Sequence, residues 1–264
     1  MIEFGMPCLL ELPSIEACCA LAHELGLSFL ELNANFPYCQ GDHLNADDLK
    51  RLAGEYHLYF TLHVEEECDP FTFTPQVRKA WVETIRNALL TARSLNMPIV
   101  NMHFPHGVYI TLPDRKVYLY DQYREAYYDA LSGFRAMCEE TLSGSSTRIA
   151  IENTNGWKDH ERQAIEFLLA SPVFGLTLDI GHSHGIGNAD EPFFHQHDDH
   201  LIHMHGHDAI GSKNHLQLGD GEIDLVQRFA WATSRGARIV LETKTIAALR
   251  NSVKKLPEIL AEIR

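Results

Sequence analysis

Short apolar runs in this sequence end repeatedly in histidine or an acidic residue. Imidazole and carboxylate together are the donor set of divalent transition metals. Residues 201–215, LIHMHGHDAIGSKNH, contain His203, His205, His207 and His215. Other runs end in the same way: YFTLHV with His63, IVNMHF with His103, RIAIEN with Glu152, FGLTLDIGH with Asp179 and His182, RIVLET with Glu242 and FLELN with Glu31. Side chains alternate along an extended strand. One face therefore carries Tyr59, Thr61 and His63, then Asn101 and His103, then Ala150 and Glu152, then Thr177 and Asp179, then His203 and His205, then Val240 and Glu242. A lone strand histidine is ordinarily a satisfied core residue. Successive runs ending in His, His, Glu, Asp, His and Glu would put costly charge into one cavity unless something neutralises it. A divalent cation does so, with zinc or manganese the best match and cobalt, iron or magnesium also compatible.

Those ends meet only if the runs are neighbouring parallel strands. The first run is Ile2–Met6, and SIEACCALAHELG follows as a helix with Ser14 as N-cap and Gly26 as stop. Further helices are expected near 46–55, 121–142, 159–170, 223–235 and 246–263. Thr74 and Pro75 open a long one in which Val77, Trp81, Ile85, Leu89, Ala92 and Leu95 recur at core spacing. Eight β-then-α units in order predict an α/β fold, a single (β/α)8 TIM barrel over residues 1–264, with its active site at the C-terminal ends of the strands. A doubly wound open sheet is the alternative. The 105–120 connection contains VYITL, PDRK and VYLY, which read as an inserted hairpin. Tyr109, Tyr118 and Tyr120 would cover the barrel mouth if it is a lid; a surface decoration is the equal alternative.

The net charge of −14 repels phosphate backbones and disfavours nucleic acid as a partner. No apolar run approaches the ~18 residues of a membrane span. The N-terminal MIEFGMPCLLELPS lacks a basic signal-peptide region, and the six cysteines show no CxxC spacing. A cytoplasmic protein with reduced thiols is expected. The oligomeric state is open, a homo-oligomer included.

Glu152, Asp179, His205 and Glu242 resemble the metal quartet of the xylose-isomerase-like TIM barrel superfamily, which includes sugar and sugar-phosphate isomerases and epimerases and endonuclease IV. Asp179 with His182 is similar to its D-x-x-H segment, and His205 with Asp208 to its H-x-x-D element. IENTNG (151–156) resembles the LENT-x-G segment of the endonuclease IV-like branch, and HLQLGDGEID (215–224) its H-x-x-L-G-x-G-x-I stretch. His63 and His103 fall where that branch has two extra zinc-binding histidines, and His182 with His215 where it holds a third ion. The departure is Lys213, which stands where the nuclease has an aspartate ligand and should weaken a third metal site.

The resemblance implies one to three divalent ions and a small carbohydrate substrate. The expected reaction is isomerisation or epimerisation of a sugar or sugar phosphate, by proton transfer through a metal-stabilised enediolate. Glu152 and Glu242 are the expected ligands and acid/base groups, with His182 binding or polarising a substrate oxygen. Glu31, Trp157, Lys213 and Lys244 are candidate substrate contacts. The alternative is an endonuclease IV-like multi-zinc phosphodiesterase, or another metal-dependent hydrolase or lyase. His203 is expected one barrel layer deeper with a structural role, and His207 is unassigned. His195, His197 and His200 are expected on a polar helix or loop.

Overall fold

The structure is a computed structural model that describes residues 2–40 and 44–263. In chain order, β1 (Phe4–Pro7), α1 (Ile15–Glu24), β2 (Phe29–Asn33), α2 (Ala46–Tyr56), β3 (Tyr59–His63), α3 (Pro75–Ser94) and β4 (Ile99–His103) come first. The next connection carries an antiparallel hairpin, β5 (Tyr109–Thr111) with β6 (Lys116–Tyr118), then a one-turn helix α4 (Leu119–Gln122) and α5 (Arg124–Thr141). After β7 (Arg148–Glu152), α6 (Asp159–Leu169) and β8 (Phe174–Asp179) come two short helices, α7 (Ile180–Gly185) and α8 (Glu191–Gln196). β9 (Leu201–Gly206) leads into a second hairpin, β10 (Asp208–Ile210) with β11 (Lys213–Leu216). The chain finishes with α9 (Leu225–Arg235), β12 (Arg238–Leu241) and α10 (Ile246–Glu262). Eight parallel strands close into a barrel in the order β1-β12-β9-β8-β7-β4-β3-β2. This is a single (β/α)8 TIM barrel, as the alternation of elements predicts.

Local chemistry sets the helix ends. The Ser14 hydroxyl accepts the Ala17 N–H at 3.2 Å, Asn45 caps α2 through the N–H groups of Asp47 and Asp48, and Asp224 caps α9 through Gln227. Each such cap contributes about 1 kcal/mol. The outward faces of the strands are apolar: Leu30, Leu32, Phe60, Leu62, Val100, Ile149, Ile151, Leu176, Leu178, Ile239 and Leu241 are buried against the helix layer. Truncating one of them to alanine costs about 2–5 kcal/mol.

Three local expectations are corrected. Val77 is 45% exposed, because the first turn of α3 leaves it outside the core that Ile85, Leu89 and Ala92 enter. The helix expected at 121–142 is broken at Tyr123 between α4 and α5. Tyr120 is not cover for the mouth: its ring is buried and stacks on Tyr127 at 4.3 Å, and its hydroxyl donates to Asp69 at 2.6 Å, which pins the hairpin connection. Tyr109 remains exposed. Among the described residues, no helix is long and apolar enough to cross a membrane.

The barrel interior is polar at both ends. At the N-terminal end Arg238 donates to the Tyr59 hydroxyl at 3.0 Å, which in turn donates to Glu3 at 3.0 Å. The C-terminal end holds the histidines and carboxylates. Asp179 is the last residue of β8 and the N-cap of α7, so His182 sits on a helix rather than on the strand, and Glu242 lies one residue past β12.

Candidate metal centre and active site

The strand ends bring Glu152, Asp179, His205 and Glu242 together. One donor atom from each lies within 4.8 Å of all the others. Their spacing follows from register, since His103 pairs with Glu152 and Asp179 with His205 across adjacent strands. His205 Nδ1 lies 3.1 Å from Glu152 Oε1, 3.2 Å from Glu242 Oε2 and 3.9 Å from Asp179 Oδ2. Its Nε2 lies 2.9 Å from Glu31 Oε1. Both ring nitrogens face ionised carboxylates, which only accept, so without a cation His205 is an imidazolium. Burial alone would push its pKa down, but Glu152, Glu242 and Glu31 hold it well above the usual imidazole range. The carboxylates respond in the opposite sense. Burial would raise Glu152 and Glu242, yet His205 above all, helped by His103 at Glu152 and Lys244 at Glu242, holds both well below the carboxylate range.

Asp179 is held by both neighbouring histidines. Oδ1 accepts the His182 N–H at 2.7 Å, His207 Nε2 lies 3.0 Å from Oδ1 and 3.2 Å from Oδ2, and Oδ2 lies 3.9 Å from His205 Nδ1. Asn153 fixes the adjacent main chain, donating to the Asp179 carbonyl at 3.0 Å and accepting the Asp179 N–H at 2.8 Å. Glu242 Oε1 takes Lys244 Nζ at 2.7 Å, while its Oε2 is buried without a hydrogen-bond partner. An orphaned carboxylate oxygen beside an imidazole nitrogen and two further carboxylates fits a divalent cation. The three-carboxylate, one-imidazole set suits manganese, zinc, cobalt or iron.

A second group adjoins the first through Glu152. Its Oε2 accepts from Asn101 Nδ2 and lies 3.2 Å from His63 Nε2 and 3.5 Å from His103 Nε2. His63 Nδ1 donates to the Val64 carbonyl at 2.7 Å. Burial opposes its charge, but Glu152 raises its pKa to about 9. His182 Nδ1 faces the Asn153 carbonyl at 3.2 Å and His215 Nδ1 the Glu242 carbonyl at 3.1 Å. His63, His182 and His215 thus each anchor Nδ1 on a main-chain carbonyl, which leaves Nε2 as the second donor atom, that of His63 lying against Glu152 Oε2. Burial drops His215 to about 4, so it is neutral, and its φ of 56° places it in the left-handed region that non-glycine residues seldom occupy. His207, His215 and Glu242 form a further potential donor group.

Sequence reasoning missed several parts of this arrangement. His207, left unassigned, orients Asp179 and accepts the His215 N–H on its Nδ1 at 2.8 Å. Its ring packs against Gly181, where a Cβ would collide with it. Asp208 organises the β10–β11 hairpin, its carboxylate accepting the N–H groups of Ala209, Gly219, Gly221 and Ile223. A side chain at Gly221 would collide with it. Asn101 links Glu152 to the Thr177 hydroxyl. Its position on the same strand face as His103 was the available signal.

Two expected substrate contacts take other roles. Glu31 is 2% exposed, lies beneath the quartet and bonds to His203, His205 and Thr61. Trp157 is buried, stacked on Phe194 at 5.2 Å and edge-on to Phe193, which gives it a packing role. Lys244 reaches the site through Glu242, whereas Lys213 is exposed near the tip of the β10–β11 hairpin. His203 is fully buried one layer down, as expected. His195 lies on α8, where it stacks on Trp231, and His197 and His200 flank a short turn.

An uncharacterized protein of Methanocaldococcus jannaschii, MJ1311, is 28% identical over 243 residues, covering 85% of this chain and 78% of the relative. Among solved structures, a D-tagatose 3-epimerase-like protein superposes with a TM-score of 0.78 at 24% identity, covering 99% of this chain and 98% of the other. The IOLI protein, solved with a bound zinc atom, superposes with a TM-score of 0.76 at 14% identity, covering 100% of this chain and 99% of its own. These likenesses share the barrel, and the match that defines the family runs through nearly all of it: over residues 19–263 the chain belongs to the xylose isomerase-like TIM barrel family.

Proposed function

We propose that the protein is a divalent-metal-dependent isomerase or epimerase acting on a sugar or sugar phosphate. The observation that carries this reading is the asymmetry of the quartet. Its four donors converge at the barrel mouth, and Glu242 keeps one buried oxygen without a hydrogen-bond partner. A divalent cation held by Glu152, Asp179, His205 and Glu242 supplies Lewis acidity to neighbouring hydroxyl and carbonyl oxygens of a sugar. Glu242 faces that cluster through Oε2, and its outer Oε1, held by Lys244, can take or return a proton. His205, helped by Lys244, keeps Glu242 ionised, while His182, anchored through Nδ1, offers Nε2 to a substrate oxygen. The exposed Glu66 and Glu67, with Glu65 beside them, follow β3 at the mouth and disfavour a polyanionic substrate. The epimerase-like neighbour agrees with this substrate class. Reduced, buried cysteines accord with a cytoplasmic location, and the 105–120 hairpin is the candidate cover for the mouth.

The test is solvent deuterium incorporation into a panel of ketoses and ketose phosphates, with and without chelator. Chelator-sensitive exchange at a carbon beside the carbonyl is expected. Exchange with no member of the panel would remove the proton-transfer reading.

One observation favours a second reading. The Nε2 atoms of His63, His182 and His215, each on a ring anchored through Nδ1 near the same carboxylates, are what a multi-zinc phosphodiesterase of the endonuclease IV type would use. Chelator-sensitive cleavage of an abasic-site duplex, with two or three tightly held zinc ions per chain, would establish it in place of the first.

A further inference from the structure

His203 and His205 point to the same interior face of β9, and both are fully buried. Neither can reach water: protein groups face both ring nitrogens of His205 and Nε2 of His203, while His203 Nδ1 is left without a partner among the described residues. Glu31 reaches both from β2, which is separated from β9 by β1 and β12 in the order of strands. Its Oε1 lies 2.9 Å from His205 Nε2, and its Oε2 lies 2.9 Å from His203 Nε2 and accepts the Thr61 hydroxyl at 2.9 Å. Both oxygens of a fully buried carboxylate are therefore committed, one of them twice.

We infer that Glu31 is the positioning residue that makes His205 a metal ligand through Nδ1, with Thr61 and His203 holding Glu31 in place. The inference rests on the metal-binding part of the proposed function. An imidazole bound through one nitrogen presents the other on the opposite side of the ring. With Nε2–H tied to Glu31, Nδ1 is the only end left for Glu152, Asp179 and Glu242. Flipping the ring would break the Glu31 bond and set carbon against the carboxylates. Glu31 thereby selects both the rotamer and the tautomer of His205. A carboxylate behind a ligating imidazole also makes the ring a stronger donor. Glu31 meets the quartet through the His205 ring, on the Nε2 side away from Glu152 and Glu242. His203 and Thr61 stop the carboxylate from swinging away: each bonds Oε2, leaving Oε1 to His205. The tilted ring of Phe29, with its centroid 6.1 Å from that of His203, packs on the outer member of the clamp.

The test uses the full chain titrated with zinc against a chromophoric chelator, and with cobalt read by its visible ligand-field bands. Glu31→Gln keeps the volume but places an amide between two histidine donors. It should weaken zinc roughly 10–100-fold and alter the cobalt spectrum, while the metal-free protein still unfolds cooperatively. Unchanged zinc affinity with an unchanged cobalt spectrum in a folded Glu31→Gln protein would overturn the inference. If the variant does not fold, nitrogen-15 NMR of histidine-labelled wild-type protein decides. The zinc-loaded protein should carry the His205 ring proton on Nε2 and a metal-shifted Nδ1; the reverse pattern overturns the proposal. Sugar proton exchange is read separately. A protein whose zinc affinity depends on Glu31 but which exchanges no sugar proton loses only the isomerase reading, and one that exchanges protons with metal held independently of Glu31 loses only this clamp.

Discussion

Glu152 and Glu242 are the same residue type, lie at the same end of the barrel and flank the same cluster, yet their surroundings differ. The Glu152 side chain is 1% exposed, and its oxygens face Asn101, His63, His103 and His205. The Glu242 side chain is 13% exposed; one oxygen is held by a lysine and the other has no hydrogen-bond partner. A carboxylate surrounded by fixed N–H donors is rigid and committed. A carboxylate that faces the cluster with one oxygen and a half-exposed ammonium with the other keeps that outer oxygen available for proton exchange. Strand ends alone would have made these two residues equivalent, and their neighbours divide the labour between them.

The largest effect that tests this division is on the reaction itself. Glu242→Gln should lower chelator-sensitive deuterium exchange into the responsive sugar by about 10²–10⁴-fold, the range of a lost general acid/base, with the metal-free fold intact. Retention of exchange in that variant would move the proton-transfer role away from Glu242 and end the contrast. Stability should respond in the opposite order. Glu152→Ala strands the His63 charge in the barrel, removes one of the carboxylates around His205 and should cost the metal-free protein about 3–5 kcal/mol, the range for breaking a buried ion pair. Glu242→Ala should cost clearly less, because its lysine partner is half exposed and His205 keeps Glu31 and Glu152. Urea unfolding measures both, and equal losses would refute the scaffold role of Glu152.

A third effect concerns pH. His63 ionises at about 9 in the folded protein, above the roughly 6.5 of an unperturbed imidazole. Its contribution to metal-free stability is therefore fully present below about pH 6.5 and fades as pH rises through 9. Zinc binding at His63 requires the neutral ring, so apparent affinity should strengthen over the same window, with protons released on binding. Calorimetry in buffers of different ionisation enthalpy measures that release. Binding without proton release would mean that zinc does not displace the protons of the histidines around Glu152.

The fold and the quartet were legible in the sequence because both rest on period. Eight alternations of apolar run and amphipathic helix specify the barrel, and the two-residue period of a strand specifies which side chains share the mouth. Glu152, Asp179, His205 and Glu242 followed from parity and resemblance together. Contacts across the barrel were not legible. Glu31 meets His205 at a sequence separation of 174 residues, and nothing in FLELN distinguishes a buried clamp from a substrate contact. His207 acts only because Gly181 leaves room for its ring. Trp157 looked like a sugar platform, but Phe193 and Phe194 of α8 cover it, and that short helix carries too little periodicity to be read from sequence.

The smallest effect lies on the Glu242 side of the comparison. His182 and His215 there are anchored through Nδ1 on main-chain carbonyls in the manner of His63, but the carboxylates beside them, Asp179 and Glu242, are the ones the quartet already uses. The residue two positions before His215 on β11 is the exposed Lys213, which stands where the endonuclease IV-like pattern has an aspartate. Lys213→Asp should raise the zinc content of the purified protein by one ion per chain, with stability changed by no more than about 0.5 kcal/mol, as for other exposed substitutions. Metal analysis with a parallel melting curve measures both. An unchanged zinc count would mean that Lys213 is not what separates the two sides, and would shift attention to the left-handed backbone of His215, which fixes where its ring can reach.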